Sequence, residues 1–226
     1  IIANSDLLFE TDRVISRLVA VIEENEDIGI VTPRIMEWPD TDTLWFERGY
    51  VDDRSGNASH MHSHRGVPNL RLTPTIDEAG DLEDPELLSN DYVPLCFAMV
   101  DVEVFEEVGL LQEHFFMYYE DIEFAVRVRE AGYRLVTDIS TEVFHRVSSS
   151  SGGKQSPLAE YYMVRNRLLL VRSNTDYSFS AYLIYAYWVT VKLIYSLATR
   201  QLRVCRAIAA GAYDGVRGRN GRGRYP

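Results

Sequence analysis

Three short stretches of this chain hold residue types that can do chemistry together. Asn4-Ser5-Asp6 follows an apolar run that reads as the end of a strand. In open α/β sheets ligands bind at such ends, so Asp6 is placed for a hard cation or a sugar hydroxyl, although an Asp there is more often a turn former. Phe115-Phe116-Met117-Tyr118-Tyr119-Glu120-Asp121 runs four aromatics into two carboxylates at a helix start. Acidic residues in a first helical turn ordinarily serve the helix dipole. Here the aromatics are expected to form a wall for a sugar ring, with a carboxylate at its edge to take a proton from an attacking hydroxyl. The positive helix end would help to keep that carboxylate ionised. His145 ends a later short strand and becomes a metal ligand only if the fold brings it to Asp6, since imidazole and carboxylate make a half-site for Mn²⁺ or Mg²⁺. A fourth cluster, His60-Met61-His62-Ser63-His64, puts alternate histidines on one strand face but lies in an irregular region, and it is read as a decoy.

The elements that must position these groups follow from periodicity. Thr11 is expected to cap a helix through about Asn25, with Val14, Ile15, Leu18, Val19 and Ile22 on its buried stripe. Ile28 to Val31, closed by Pro33, reads as a short buried strand, so the chain opens on a βαβ pattern. Residues 37–90 are rich in Pro, Gly, Asp, Ser and His and read as a long irregular excursion with short strands. Tyr92 to Val102 reads as a strand, and Glu103 to Val108 as a short helix stopped by Gly109. Glu120 to Ala131 reads as a helix with Gly132 after it, followed by short strands at Tyr133 to Val136 and Glu142 to Phe144. Beyond a Ser/Gly stretch at 148–153, three helical runs follow: Pro157 to Val171, Phe179 to Thr199, and one ending at Ala212. The fold class is therefore α/β with a helical C-terminal segment.

Charge divides the chain at the same place. The net charge of −11 conceals 31 acidic and 11 basic residues in 1–147, against 3 acidic and 12 basic in 148–226. Lys154 and Lys192 are the only lysines beside 21 arginines, a bias that suits either a high-salt cytoplasm or an Arg-favouring genome. Cys96 and Cys205 fit no ligand spacing and read as buried thiols in a reducing compartment. The apolar start at Ile1-Ile2-Ala3 is neither an initiator nor a signal peptide, and the chain is expected to be a fragment without its N-terminal part. Ala181 to Ala198 carries one charge, Lys192, and six hydroxyl-bearing side chains. Its length is marginal for a crossing, and its aromatics favour a helix lying at the cytoplasmic membrane face.

The block from Glu103 to Gly153 resembles the second half of family 2 glycosyltransferases, in particular the rhamnosyltransferase-like and galactofuranosyltransferase-like branch. The similarity lies in Glu120-Asp121 after the aromatics, the Ala131-Gly132-Tyr133 turn, the strand ending in His145, and Tyr161-Tyr162 followed by Arg165-Asn166. Upstream, Ile1 to Phe9, Ile28 to Ile35 and Leu44 to Gly56 look like the family's metal-binding strand and its Trp-Gly segment.

The resemblance implies the C-terminal half of a GT-A domain, Rossmann-like with a mixed sheet, and inverting transfer from a nucleotide-diphosphate sugar to a hydroxyl of a glycan or lipid-linked acceptor. It implies Asp6 and His145 as ligands of a divalent cation, Mg²⁺ or Mn²⁺, and Asp121 as general base with Glu120 beside it. Trp45, Gly49, Phe116, Tyr118 and Tyr119 would shape the acceptor side, while the nucleotide-binding residues would precede Asn4. Asn4 stands where many relatives have Asp, and Glu123 replaces a commoner Asp. The expected organisation is a partial GT-A domain over 1–150, a closing helix over 151–175, membrane-leaning helices over 176–214 and a disordered Gly/Arg tail over 215–226. An anionic membrane surface is the expected partner, a nucleic acid is not, and the expected place is the inner face of the cell membrane. The fragment alone is expected not to turn over substrate. The alternatives are a catalytically inactive scaffold at the membrane surface and, further off, a nucleotidyltransferase.

Overall fold

A computed structural model describes residues 1–9, 11–52, 55–60, 63–64, 84–146, 156–174 and 179–223. Two compact units divide them: Ile1–Val51, Ala58–Leu110 and Phe124–Val147 form the first, and Asp52–Asn57, Leu111–Glu123 and Ser148–Pro226 the second. The carboxylate block thus groups with the helical C-terminal segment, whereas the sequence placed all of 1–150 in one domain.

The first unit is a mixed sheet built on β3 (Ile28–Glu37) and β10 (Arg134–His145), which run parallel. Ile28, Ile30, Val31, Ile35, Leu135, Val136 and Val143 are all buried, as expected of strands covered on both faces. Each such side chain contributes about 1.5–3 kcal/mol by leaving water. Next to β3 lies β9 (Phe97–Val100), antiparallel at Ile30 and Val31, and beyond β9 lies β1 (Ile2–Ala3). Further along, β3 pairs with β4 (Thr43–Phe46), which carries β7 (Ser63–His64). On its far side β10 pairs first with β8 (Leu87–Asn90) and then with β2 (Leu7–Leu8). A separate ribbon joins β5 (Gly49–Asp52) to β6 (Asn57–His60).

Pro33 does not close β3, as the sequence suggested; the strand continues for ten residues. A proline is tolerated there because β9 pairs only as far as Val31 and β4 begins at Ile35, so no strand pairs with Pro33 on that side, and on the other side the register with β10 breaks just after the Pro33–Asp138 pair. Opposite Pro33 the two strands expected after Gly132 are one, β10, interrupted by a bulge between Asp138 and Glu142. The fully buried Asp138 pins that bulge, accepting from Ser140 Oγ at 2.7 Å and Thr141 Oγ1 at 2.6 Å.

Helix α1 (Arg13–Glu24) lies on this sheet with Val14, Leu18 and Val21 buried, while Ile15 and Val19, expected inside, are exposed. Thr11 stands two residues ahead of the helix and accepts from the Arg13 N–H at 3.1 Å. The strand expected over Tyr92 to Val102 is confined to β9. Helix α2 (Val102–Val108) is capped by Asp101, whose side chain accepts from the Glu103 N–H, and stops at Gly109 with φ 79°. Helix α3 (Glu120–Glu130) ends before Gly132, whose φ of 96° suits a residue without Cβ.

The second unit is built on α4 (Pro157–Ser173), capped by Ser156 and buried along most of its length. Helices α5 (Phe179–Ala198) and α6 (Leu202–Val216) pack on it. Glycine at 211 allows α6 to approach α4 closely, because a Cβ there would collide with the Tyr161 carbonyl oxygen. The Gly/Arg tail expected to be disordered is placed through Gly223 and bonded: Gly223 N–H donates to Tyr162 Oη at 2.8 Å.

Candidate active site

The antiparallel pairing of β2 with the end of β10 puts Leu7 opposite His145, and Arg146 N–H donates to the Asp6 carbonyl at 3.0 Å. On the other side, β1 and the bond from Asn4 N–H to Cys96 O at 2.7 Å hold the approach to Asp6. His145 Nε2 consequently stands 3.5 Å from Asp6 Oδ1. Asp6 Oδ1 and His145 Nδ1 are both buried and have no hydrogen-bond partner. Burial lowers the His145 pKa, and the charges of Asp6 and Glu37 only partly oppose this, so the ring is held toward its neutral, ligating form.

Trp45 meets His145 edge to face, ring centroids 4.7 Å apart, and His60 at 5.3 Å. Gly49 has a packing reason of its own. A Cβ on it would collide with the Tyr92 carbonyl oxygen and meet the Tyr92 ring at 2.8 Å, while its N–H donates to Asn90 Oδ1 at 2.8 Å. His60 Nδ1 pairs with Tyr92 Oη at 2.7 Å. His62 and the side chain of His64 lie outside the described residues. Among the described residues no group of three His, Cys, Asp or Glu could hold a metal.

In the second unit the aromatic block is not a continuous wall. Phe115 is fully buried and Tyr119 nearly so, whereas Phe116 is 48% exposed and Tyr118 half-buried. Phe116, Tyr118 and Tyr119 have φ of 64°, 63° and 74°. For non-glycine residues such backbone costs about 1–3 kcal/mol each and persists only where neighbours enforce it. The neighbours are on α4. Asn166 Nδ2 donates to the carbonyls of Phe115, Met117 and Tyr118, each at 2.8 Å, and Arg165 Nη2 donates to Phe115 O at 2.9 Å.

This turn delivers Glu120 and Asp121 to the first turn of α3. The Asp121 carboxylate accepts from the Ile122 N–H at 2.9 Å. Even so, its pKa is pushed up to about 7, first by burial and then by the charge of Glu120. The helix end was expected to keep Asp121 ionised; desolvation outweighs it. Glu120 is likewise raised by burial, and its Oε2 is buried without a partner.

No family model matches the chain. It is 27% identical over 232 residues to the low-salt glycan biosynthesis hexosyltransferase Agl10 of Haloferax volcanii, covering 98% of this chain and 67% of that protein. It is 30% identical over 137 residues to the dTDP-rhamnosyl transferase RfbF of Shigella flexneri, covering 56% of this chain and 46% of that one. Both are glycosyltransferases. The chain therefore spans two thirds of one curated relative and less than half of the other. The resemblance carried by the sequence is to glycosyltransferases, and the mixed α/β sheet with a helical C-terminal segment is the architecture it implied.

In the sequence Arg165-Asn166 stands out only as a motif of the glycosyltransferase resemblance, and its hold on the turn appears first in the fold. The available signal was a pair of polar residues amid Tyr161-Tyr162 and Leu168 to Val171. Fully buried polar side chains on such a helix must be bonded to something specific. Arg167, almost fully buried, follows the same rule by donating to Ser55 O at 3.2 and 3.1 Å.

Proposed function

We propose that this chain is part of an inverting, family 2 glycosyltransferase moving a sugar from a nucleotide-diphosphate donor to a hydroxyl of a glycan or lipid-linked acceptor. The observation that carries the reading is Asp121: a carboxylate at a helix start, behind a partly exposed aromatic turn, with a pKa of about 7. A base so tuned is half ionised near neutral pH and still basic enough to take a hydroxyl proton. Asp121 accepts that proton as the acceptor oxygen attacks the anomeric carbon from the face opposite the diphosphate, whose oxygen leaves with the bonding pair. Phe116 and Tyr118 are the aromatic faces left to meet a sugar ring.

Asp6 and His145 fit a divalent cation. Two ligand atoms held at about 2.1 Å from one ion at a right angle lie about 3 Å apart. The observed 3.5 Å separation, the buried Asp6 Oδ1 without a hydrogen-bond partner and the neutral imidazole suit that use. Bound there, Mg²⁺ or Mn²⁺ would offset the charge on the departing diphosphate.

The cytoplasmic face of the membrane is the proposed location, with α5 lying on the lipid surface. Among the described residues, α5 is the helix long and apolar enough to be considered for a membrane. Its single charge, Lys192, is bound to Glu160 at 2.9 Å, which leaves the exposed face uncharged.

The test is Asp121→Asn in the full-length protein, assayed with nucleotide-sugar donors. The transfer rate is expected to fall by about 10²–10⁴-fold with the fold intact. An unchanged rate, or a product retaining the donor's anomeric configuration, overturns the reading.

A further inference from the structure

The strained turn ahead of Glu120-Asp121 is held from two directions, and only one of them is α4. After α6 the chain turns back at Gly218 (φ 66°) and Gly221 (φ 65°) and lies against that turn. Gly221 bonds at both its backbone groups: its N–H donates to His114 O at 2.6 Å, and its carbonyl accepts from Arg165 Nη1 at 2.7 Å. Arg165 is fully buried and reaches Phe115 O and Asn166 Oδ1 with its other nitrogens. It lies over the Tyr162 ring at 4.7 Å. Two residues on, the Gly223 N–H is bonded to Tyr162 Oη at 2.8 Å, and Tyr162 in turn packs against Phe116 at 5.3 Å between ring centroids. A Cβ on Gly223 would fall 2.5 Å from the Tyr161 hydroxyl, so the backbone there is seated without room to spare.

We propose that residues 217–223 are a positioning strap that locks the turn Phe115–Tyr119 through Gly221, Gly223 and Arg165, and so fixes the direction in which Asp121 points. The physical reason is the backbone of the turn. Phe116, Tyr118 and Tyr119 hold left-handed φ within four residues, and such backbone relaxes unless carbonyls of the turn, here those of Phe115, Met117 and Tyr118, are held. Arg165 is the shared part: it bonds the strap at Gly221 and the turn at Phe115 at the same time. Its guanidinium is planar and rigid, so displacing one bonded group shifts the aim of the other. The strap touches no reacting atom and acts only by placing the carboxylate, the kind of displacement to which transfer rates are most sensitive.

This inference rests on Asp121 being the base, and the experiment keeps the two apart. In the full-length protein, Gly221→Pro with Gly223→Val removes the donor to His114 and fills the space against Tyr161. Tyr162→Phe, a milder variant, removes only the acceptor for Gly223. Hydrogen exchange of the peptide 111–123 is followed by mass spectrometry, with circular dichroism checking that the helices remain. The strap predicts faster exchange at Phe116 and Met117, whose N–H groups are bonded within the turn. It also predicts a fall in kcat of about 10–100-fold with donor KM within about twofold. Tyr162→Phe should move both readouts the same way by less. Unchanged exchange in both variants overturns the strap whatever Asp121 does. Faster exchange with Asp121→Asn still active leaves the strap standing and removes the base.

Discussion

His145 Nε2 lies 3.5 Å from Asp6 Oδ1, although the two residues sit at opposite ends of the first unit's sequence. The pairing of Leu7 with His145 brings them together, and beyond that long approach the buried Asp6 Oδ1 has no hydrogen-bond partner among the described residues. A buried polar atom without a partner costs about 1–3 kcal/mol, a cost that a cation on Asp6 would offset. Mn²⁺ binding, read by electron paramagnetic resonance, should weaken by at least about tenfold in Asp6→Asn and in His145→Ala, given that even indirect supports of metal sites are worth that much. Equal affinity in wild type and both variants removes the metal role.

The acid limb of the pH profile should belong to Asp121. Its pKa near 7 means that kcat/KM falls about tenfold per unit as pH drops below that value, because the protonated carboxyl cannot accept a proton. Glu120 contributes to the raised value by like-charge repulsion, so Glu120→Gln should move the limb to lower pH. Stability runs the other way. A carboxyl whose folded pKa lies above its unfolded value near 4 holds its proton more tightly when folded. Its contribution to stability is then fully present below pH 4 and is lost as pH rises through 7. At neutral pH, Asp121→Asn should therefore raise Tm by about 2–4 °C, which calorimetry would read.

Gly49 offers a separation of packing from binding. The Tyr92 carbonyl occupies the space of a Cβ, so Gly49→Ala should destabilise the first unit by about 1–3 kcal/mol through overpacking. Urea denaturation would measure it. A variant as stable as wild type but deficient in acceptor KM would instead make Gly49 a binding residue.

What the sequence disclosed depended on whether the cause was local. Apolar periodicity located α1, α3, α4 and α5, and glycine punctuation located the ends of α2 and α3. Pro33 misled because its tolerance comes from where β9 and β4 stop on one side and where the register with β10 breaks on the other, which no local rule contains. The order of residue types around Glu120 and Asp121 was legible, yet the sign of the Asp121 shift was not, since desolvation depends on what packs over the carboxylate. The tail misled for a related reason. Glycine and arginine at 215–223 have the composition of disorder, but the left-handed φ at Gly218 and Gly221 and the acceptor on Tyr162 give that composition a structure.

The outer face of α5 makes the last prediction. Ala181, Tyr185, Val189 and Ser196 are buried at helical spacing, while Leu183, Tyr187, Val191, Ile194 and Leu197 are exposed. Lys192, which on sequence alone would interrupt that face, is bound to Glu160 and lies over Trp188 at 4.9 Å. The exposed surface is thus apolar with tyrosine hydroxyls, and the residues that follow on the chain, Arg200, Arg203 and Arg206, are cationic. A helix of that kind binds an interface by burying its apolar face, with each basic residue near anionic lipid adding about 1 kcal/mol. The full-length protein should float with phosphatidylglycerol-containing vesicles. High salt should weaken that binding without abolishing it, because the apolar term is not screened. Leu183→Asp with Ile194→Asp should abolish flotation while leaving the packed face of α5 untouched. Flotation that survives the double variant, or that is absent from wild type at both salt concentrations, rejects α5 as the membrane contact.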